Sequence, residues 1–311
     1  GRTRSKVPQS AAVHSGPRAG RASPVWAAMT VPTVPMTIRV NALTAKVRPL
    51  ARLNRLNRMK IGATTSSGVT VAGVIDAVGP DSPEFSPGDR VAAYARKQVL
   101  SAGTFAEYVT VRVDDVAAVP DEVTDDVAAA LPLAGLTALR VLETLAVTKG
   151  DALLVHAASG GVGFAAAQLA IAAGATVVGT ASTANHDKLR DIGVTPVEYG
   201  DGLEERLREV APEGFDAVAD FVGGVLDVSL AMLREGGRLA SITDPAVEEH
   251  GGRWVWVRPD GARLADLLDE VAAGRLRVDV DRTFALEDVP QAFAASQSGA
   301  ARGKLVIEVA D

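Results

Sequence analysis

The residues best suited to chemistry in this chain are the glycines of Gly161-Val-Gly163-Phe-Ala-Ala166, a G-x-G-x-x-A spacing. A dinucleotide pyrophosphate needs a tight turn out of a strand, backbone that can come close, and free N–H groups at a helix N-terminus. Ser159, Gly160, Gly161, Val162 and Gly163 can supply all three; the bland alternative is a turn that only packs strand on helix. About 20 residues further on, a site for an unmodified ribose places Asp or Glu on the 2′-hydroxyl. Here the chain has Ala181, Ser182, Thr183 and Asn185, with His186, Lys188 and Arg190 close behind. That set tolerates a 2′-phosphate, so NADP(H) is favoured over NAD(H), unless these residues merely begin a surface helix. Tyr199 can wall an adenosine pocket or be a buried sheet tyrosine.

Other chemistries find little support. Ser159 sits in HAASGGV and not in G-x-S-x-G, which argues against a serine hydrolase. Tyr94, Tyr108 and Tyr199 are followed four residues on by Gln98, Arg112 and Leu203, so the Tyr and Lys pair of a short-chain reductase is missing. The chain has no cysteine, and His14, His156, His186 and His250 stand singly, so no metal site is expected.

The glycine turn must be positioned by its neighbours. Leu153, Leu154 and Val155 form a short apolar strand, residues 163–173 an alanine-rich helix, and 175–179 a second apolar strand, which together make one βαβ unit. Downstream, strands and helices alternate through Tyr199, the 216–222 strand and the 238–243 strand, as in a doubly wound parallel sheet. Upstream, residues 68–79, 87–91 and 103–111 read as short strands separated by turns, which suggests a small β-barrel. Residues 114–123 read as a loop. Thr124-Asp-Asp-Val127 has the N-cap threonine and first-turn acids of a helix start, and a further helix is expected to begin near Leu136 and Thr137.

A length of 311 residues, 47% hydrophobic, is where single cores tend to split, and two domains are expected. The net charge of -6 hides an asymmetry: residues 1–75 hold 12 Lys and Arg and no Asp or Glu. Residues 1–62 form an atypical basic segment, punctuated by prolines and expected to be poorly ordered, with Met36 to Val40 as its one candidate strand. It can be read as an inert leader, a basic arm for nucleic acid, or a transit peptide. The uncharged stretch 152–186 is cut by Gly160, Gly161, Gly163 and Gly174 and carries His156, Ser159 and Gln168, so no membrane span is expected.

Taken in order, GVTVAGVIDAVG, SPGDRV, GTFAEYVTV, LPLAGLTAL, VHAASGGVG, FDAVADFVGG, LREGGRLASI and ARGKLVIEV resemble the zinc-independent medium-chain dehydrogenase/reductase superfamily, its NADPH:quinone oxidoreductase-like members in particular. The resemblance covers about residues 64–311. It implies an α/β chain with a GroES-like catalytic barrel at 63–127 and 259–311, interrupted by a Rossmann NADP(H)-binding domain at 128–258. Thr137 would then sit beside the nicotinamide, Ser159 to Val162 on the pyrophosphate, and Ser182 with His186 at the adenosine phosphate. Phe221, Val222 and Gly223 would line the nicotinamide half of the cleft, and Gly303 with Lys304 would close it. His186 departs from the lysine often found there, and of the family's Val-Asn-Pro-type opening only Val40-Asn41 is present.

The activity implied is hydride transfer from NADPH to a quinone or an α,β-unsaturated carbonyl without metal, with Asn41 and Tyr108 as the candidate proton donors. The alternative is a nucleotide-binding, non-catalytic protein whose basic arm binds RNA or a partner. A cytoplasmic homodimer with a small-molecule substrate is expected, touching near 254–257 or 291–297; neither membrane nor nucleic-acid binding is.

Overall fold

The computed structural model describes residues 35–44 by their backbone, and 69–79, 83–96, 104–299 and 301–309 in full. In chain order the elements are β1 (Pro35–Thr44), β2 (Thr70–Ala77), β3 (Arg90–Tyr94), β4 (Tyr108–Arg112), β5 (Val116–Ala118), α1 (Asp125–Thr144), β6 (Ala152–His156), α2 (Gly161–Ala172), β7 (Thr176–Ala181), α3 (His186–Arg190) and β8 (Thr195–Glu198). They continue with α4 (Leu203–Val210), β9 (Phe215–Asp220), α5 (Leu226–Met232), β10 (Leu233–Ser241), β11 (Arg253–Trp254), α6 (Gly261–Ala272), β12 (Val280–Ala285), α7 (Val289–Gln297) and β13 (Lys304–Glu308).

Two sheets result, one mixed and one parallel. The first has seven strands, in the order β12-β13-β1-β2-β3-β5 with β4 also on β1. Its hub is β1: residues 35–39 pair with β4, residues 42–44 pair with β13, and the opposite edge runs along β2. This strand lies inside the segment set apart at 1–62; the remainder of that segment, and with it the basic-arm expectation, lies outside the described residues. The second sheet has six parallel strands in the order β11-β10-β9-β6-β7-β8, the doubly wound Rossmann arrangement. Together they make an α/β fold of Rossmann sheet and GroES-like barrel.

α1 joins the two sheets. It is one continuous helix through Pro132, where the sequence suggested one helix from Thr124 and a further one from near Leu136. Proline removes a single intrahelical N–H, and twelve buried residues of α1 outweigh that loss, with Ala128 to Leu131 packed against Ala72, Ala92, Ala165 and Leu264 in one core. By length and composition α1 could cross a membrane, but two thirds of that stretch is buried inside the fold. Thr124 occupies the N-cap position in extended conformation, yet its hydroxyl bonds the Asp126 carboxylate and not a backbone N–H.

The far end of α1 is closed by Arg238 on β10. Its guanidinium donates to the carbonyls of Leu145 and Ala146 at 2.8 Å each and meets Asp151 at 2.9 Å. Arg238→Met is expected to lower the unfolding free energy by about 1–3 kcal/mol, since two carbonyls and a carboxylate lose a charged donor. Urea denaturation reads this, and an unmoved midpoint would show that water serves the carbonyls as well.

Candidate functional site

In a doubly wound sheet, strands that leave a central strand in opposite directions open a crevice at their carboxyl ends. Here the chain runs from β6 outward to β7 and β8, then returns to place β9 on the other side of β6. The switch point therefore lies between β6 and β9, where His156 and Asp220 are cross-strand partners at the strand ends. The turns that follow, 157–160 and 221–225, rise side by side from that point.

The first is the glycine turn. Ala157 holds φ +56° without being glycine, a conformation costing about 1–2 kcal/mol, and its carbonyl accepts the Gly160 N–H at 3.0 Å. The helix α2 then starts, with its first bond from Phe164 N–H to Gly160 O at 2.8 Å. The N–H groups of Gly161, Val162 and Gly163 precede any intrahelical acceptor, and the first turn of α2 carries no acid to compete for them. A Cβ on Gly163 would lie 2.3 Å from Ala157 O, so side chains are excluded where the turn folds back. Ser159 is part-buried beside it, and Gly161 faces the Lys304 side chain, whose Cε would be 3.0 Å from an added Cβ.

At the end of β7, Ser182 accepts a hydrogen bond from Asn185 Nδ2 at 3.0 Å. Asp187 is the first acid after the strand; its side chain is 96% exposed and is taken by Arg190 at 2.7 Å. No carboxylate closes on this turn from α3. His186 has a buried Nε2 with no hydrogen-bond partner among the described residues. Tyr199 follows β8 and is 59% exposed, which corrects the sheet-tyrosine alternative and leaves it a wall at most.

A narrow cleft opens beside the glycine turn, between Ala130, Leu131 and Ala134 of α1 and the segments 277–279 and 303–304. Lys188 spans it. Its ammonium meets Asp279 at 2.6 Å, donates to Arg302 O at 3.2 Å and Ser159 O at 3.4 Å, and stands 4.2 Å from the Phe164 ring centroid. Arg277 meets Asp279 at 3.0 Å and covers the same ring at 5.0 Å. Sequence reasoning had Lys188 only as a nearby base and missed Arg277 and Asp279, because residues so far apart in sequence carry no local pattern. Gly303 has a positional reason: a Cβ there would meet Asp279 O at 2.6 Å.

The second turn is shaped by Asp220, whose Oδ1 accepts the N–H groups of Val222 at 2.9 Å and Gly223 at 2.8 Å. Its Oδ2 accepts from Ser241 Oγ at 2.7 Å. Phe221 is part-buried, Val222 is exposed, and Gly223 takes φ +83°. Asp220 and His156 were not singled out from the sequence, though a signal existed: His156, Thr180, Asp220 and Ser241 each end, or nearly end, a strand after a run of apolar residues or glycine.

Thr137 is buried on α1 and donates to Leu133 O at 2.5 Å. Tyr108 opens β4, is 50% exposed, and pairs with Arg39 of β1, two residues before Asn41. Asn41 itself falls at a register shift in the β1–β2 ladder, between Val40 and Ala42. The two proton-donor candidates are thus on strands that pair directly.

Comparison with known proteins agrees with this architecture. Residues 36–121 match the alcohol dehydrogenase GroES-like domain, and residues 187–307 match the zinc-binding dehydrogenase family. The chain is 30% identical over 282 residues to the 2-methylene-furan-3-one reductase of Solanum lycopersicum, spanning 87% of this chain and 71% of that one. It belongs to the medium-chain dehydrogenase/reductase superfamily. A solved quinone oxidoreductase from Coxiella burnetii superposes with a TM-score of 0.74 at 29% identity, covering 89% of this chain and 90% of its own. The chain is also 36% identical over 259 residues to the spectinabilin polyketide synthase system protein NorB of Streptomyces orinoci, 77% of this chain but 12% of that protein. The chain spans 12% or less of the length of the polyketide synthase proteins that it matches. Among the described residues no group of three His, Cys, Asp or Glu is placed to hold a metal ion.

Proposed function

We propose that this medium-chain dehydrogenase/reductase uses NADPH to reduce a quinone or an α,β-unsaturated carbonyl, without a metal. The observation that carries the cofactor choice is the β7 end, where Ser182 and Asn185 follow the strand in place of an acid and the first acid, Asp187, turns to solvent. The glycine cradle fits the pyrophosphate, since Gly163 leaves no room for any side chain between α2 and the turn. Bound there, NADPH supplies a hydride.

The protein's share is to bind, orient and exclude water. The N–H groups of Gly161 to Gly163 would hold the pyrophosphate, aided by the positive end of α2. Ser182 would bond the 2′-phosphate, with Asn185 beside it. Gly223 and Val222, fixed by Asp220, would line the nicotinamide half, and Thr137 would border it from α1. Tyr108 or Asn41 would deliver the proton that completes the reduction, so that an enone gains one hydride and one proton and becomes a saturated carbonyl. The reductase of Solanum lycopersicum, by its name, acts on a methylene-furanone and the Coxiella protein on quinones, both electron-poor acceptors. A cytoplasmic homodimer using the free edge β11 belongs to the same proposal.

The test is an absorbance assay at saturating NADPH or NADH with a para-quinone and a 2-alkenal as acceptors. NADPH oxidation with at least one acceptor, and tenfold preference over NADH, is expected. Ser182→Asp should reverse that preference by placing a carboxylate on the 2′-position. Turnover with neither acceptor would sink the reading, and equal use of both cofactors would sink its NADPH half.

A further inference from the structure

His156 is wholly buried at the end of β6 and has no role in the cofactor contacts above. Its Nε2 lies 3.1 Å from Ser229 Oγ, and its Nδ1 lies 3.4 Å from Thr180 Oγ1. The direction of these bonds follows from their partners. Ser229 Oγ donates its single proton to Val225 O at 2.7 Å, so from His156 it can only accept, and Nε2 must carry the hydrogen. Nδ1 is then the acceptor for the Thr180 hydroxyl. Thr180 Oγ1 in turn accepts the Ala157 N–H at 3.0 Å.

A single directed chain therefore runs from Ala157 N–H through Thr180, His156 and Ser229 to the carbonyl of Val225. Its first residue opens the glycine turn in a left-handed conformation. Its last residue closes the 221–225 turn and precedes α5. Both rims of the crevice at the switch point are thus tied to one imidazole, and such chains strengthen when buried.

We infer that His156, as its Nε2–H tautomer, is a positioning residue that holds the glycine turn and the 221–225 turn at the spacing a dinucleotide requires. The inference rests on the cofactor reading above. Burial supports it by favouring the neutral ring, pushing its pKa down to about 4 against the pull of Asp220. A cationic ring would donate from both nitrogens, leaving the Thr180 oxygen with two donors aimed at it and no acceptor for its own proton.

The experiment is calorimetric titration of the full chain with NADP⁺ at pH 7.5, joined to steady-state kinetics. His156→Phe keeps the volume and deletes the chain; a loss of affinity of tenfold or more is expected, with KM for NADPH raised and KM for the acceptor within twofold. His156→Gln returns an N–H to the Ser229 side and should recover affinity to within about threefold of the parent. Phe binding as well as the parent, or Phe and Gln equally weak, would overturn the inference, the second result assigning His156 to packing alone. Should His156→Phe fail to fold, Thr180→Val and Ser229→Ala each interrupt the chain elsewhere, and unchanged affinity in both would overturn it. A parent chain that binds no NADP⁺ overturns the cofactor reading and this inference together, whereas binding by the parent with an indifferent His156→Phe overturns this inference alone.

Discussion

Gly163→Ala should weaken NADP⁺ binding by at least tenfold and lower the unfolding free energy by about 1–3 kcal/mol, the range for overpacking a tight site. The added Cβ would stand 2.3 Å from Ala157 O and 2.9 Å from Ala157 C and Ala158 Cα, all backbone atoms, so the turn itself must open. Its neighbours supply the control. A Cβ on Gly160 meets only Ala157 O at 3.3 Å, and one on Gly161 meets only the flexible end of Lys304 at 3.0 Å or more. Alanine at these two positions should therefore cost little stability. Calorimetry and urea unfolding on the three variants give the ranking, and a Gly163→Ala protein no worse than Gly161→Ala would refute the steric account.

Acid should destabilise the fold well before its carboxylates titrate. Burial lowers the His156 pKa from 6.5 to about 4, with Asp220 opposing. Between those values the unfolded chain binds a proton that the folded chain refuses, so stability rises with pH. The contribution is complete above about pH 6.5 and is lost as pH falls toward about 4, a total of about 3 kcal/mol. Asp216, held low by the Ala152 N–H and Arg234, and Glu270, held low by Arg275, lose their contributions only below their ordinary values near pH 4. Urea unfolding at several pH values across this window, on the parent and on His156→Gln, isolates the histidine. Parallel slopes in the two proteins would reject it.

The stretch from β6 through the glycine turn to β7 was readable from sequence because each part has a local cause. Leu153 to Val155 is an apolar run, the glycines interrupt it, and alanines carry the helix. The parallel sheet followed from the alternation of such runs. Helix α1 was not readable as one piece, since Pro132 speaks locally for a break while the packing that overrides it comes from both sheets. The same limit applies to the site. Gly161 and Gly163 announce themselves by spacing, but the His156, Thr180, Asp220 and Ser241 row exists only once the register of four strands is known. Lys188 and Asp279 meet across the cleft from segments the sequence gives no reason to join.

The pairing of β1 with β13 also has a consequence for the order in which the molecule can be made. All six strands of the parallel sheet lie between residues 152 and 254, so that sheet can assemble while later residues are still inside the ribosome. β1 emerges long before, yet Ala42 to Thr44 find their partners in Val306 to Glu308, on the far side of the whole parallel sheet in sequence. Until then one flank of β1 is a strand edge without its mate, open to pairing with another nascent chain. The mixed sheet is thus completed only after every strand of the parallel sheet has been made.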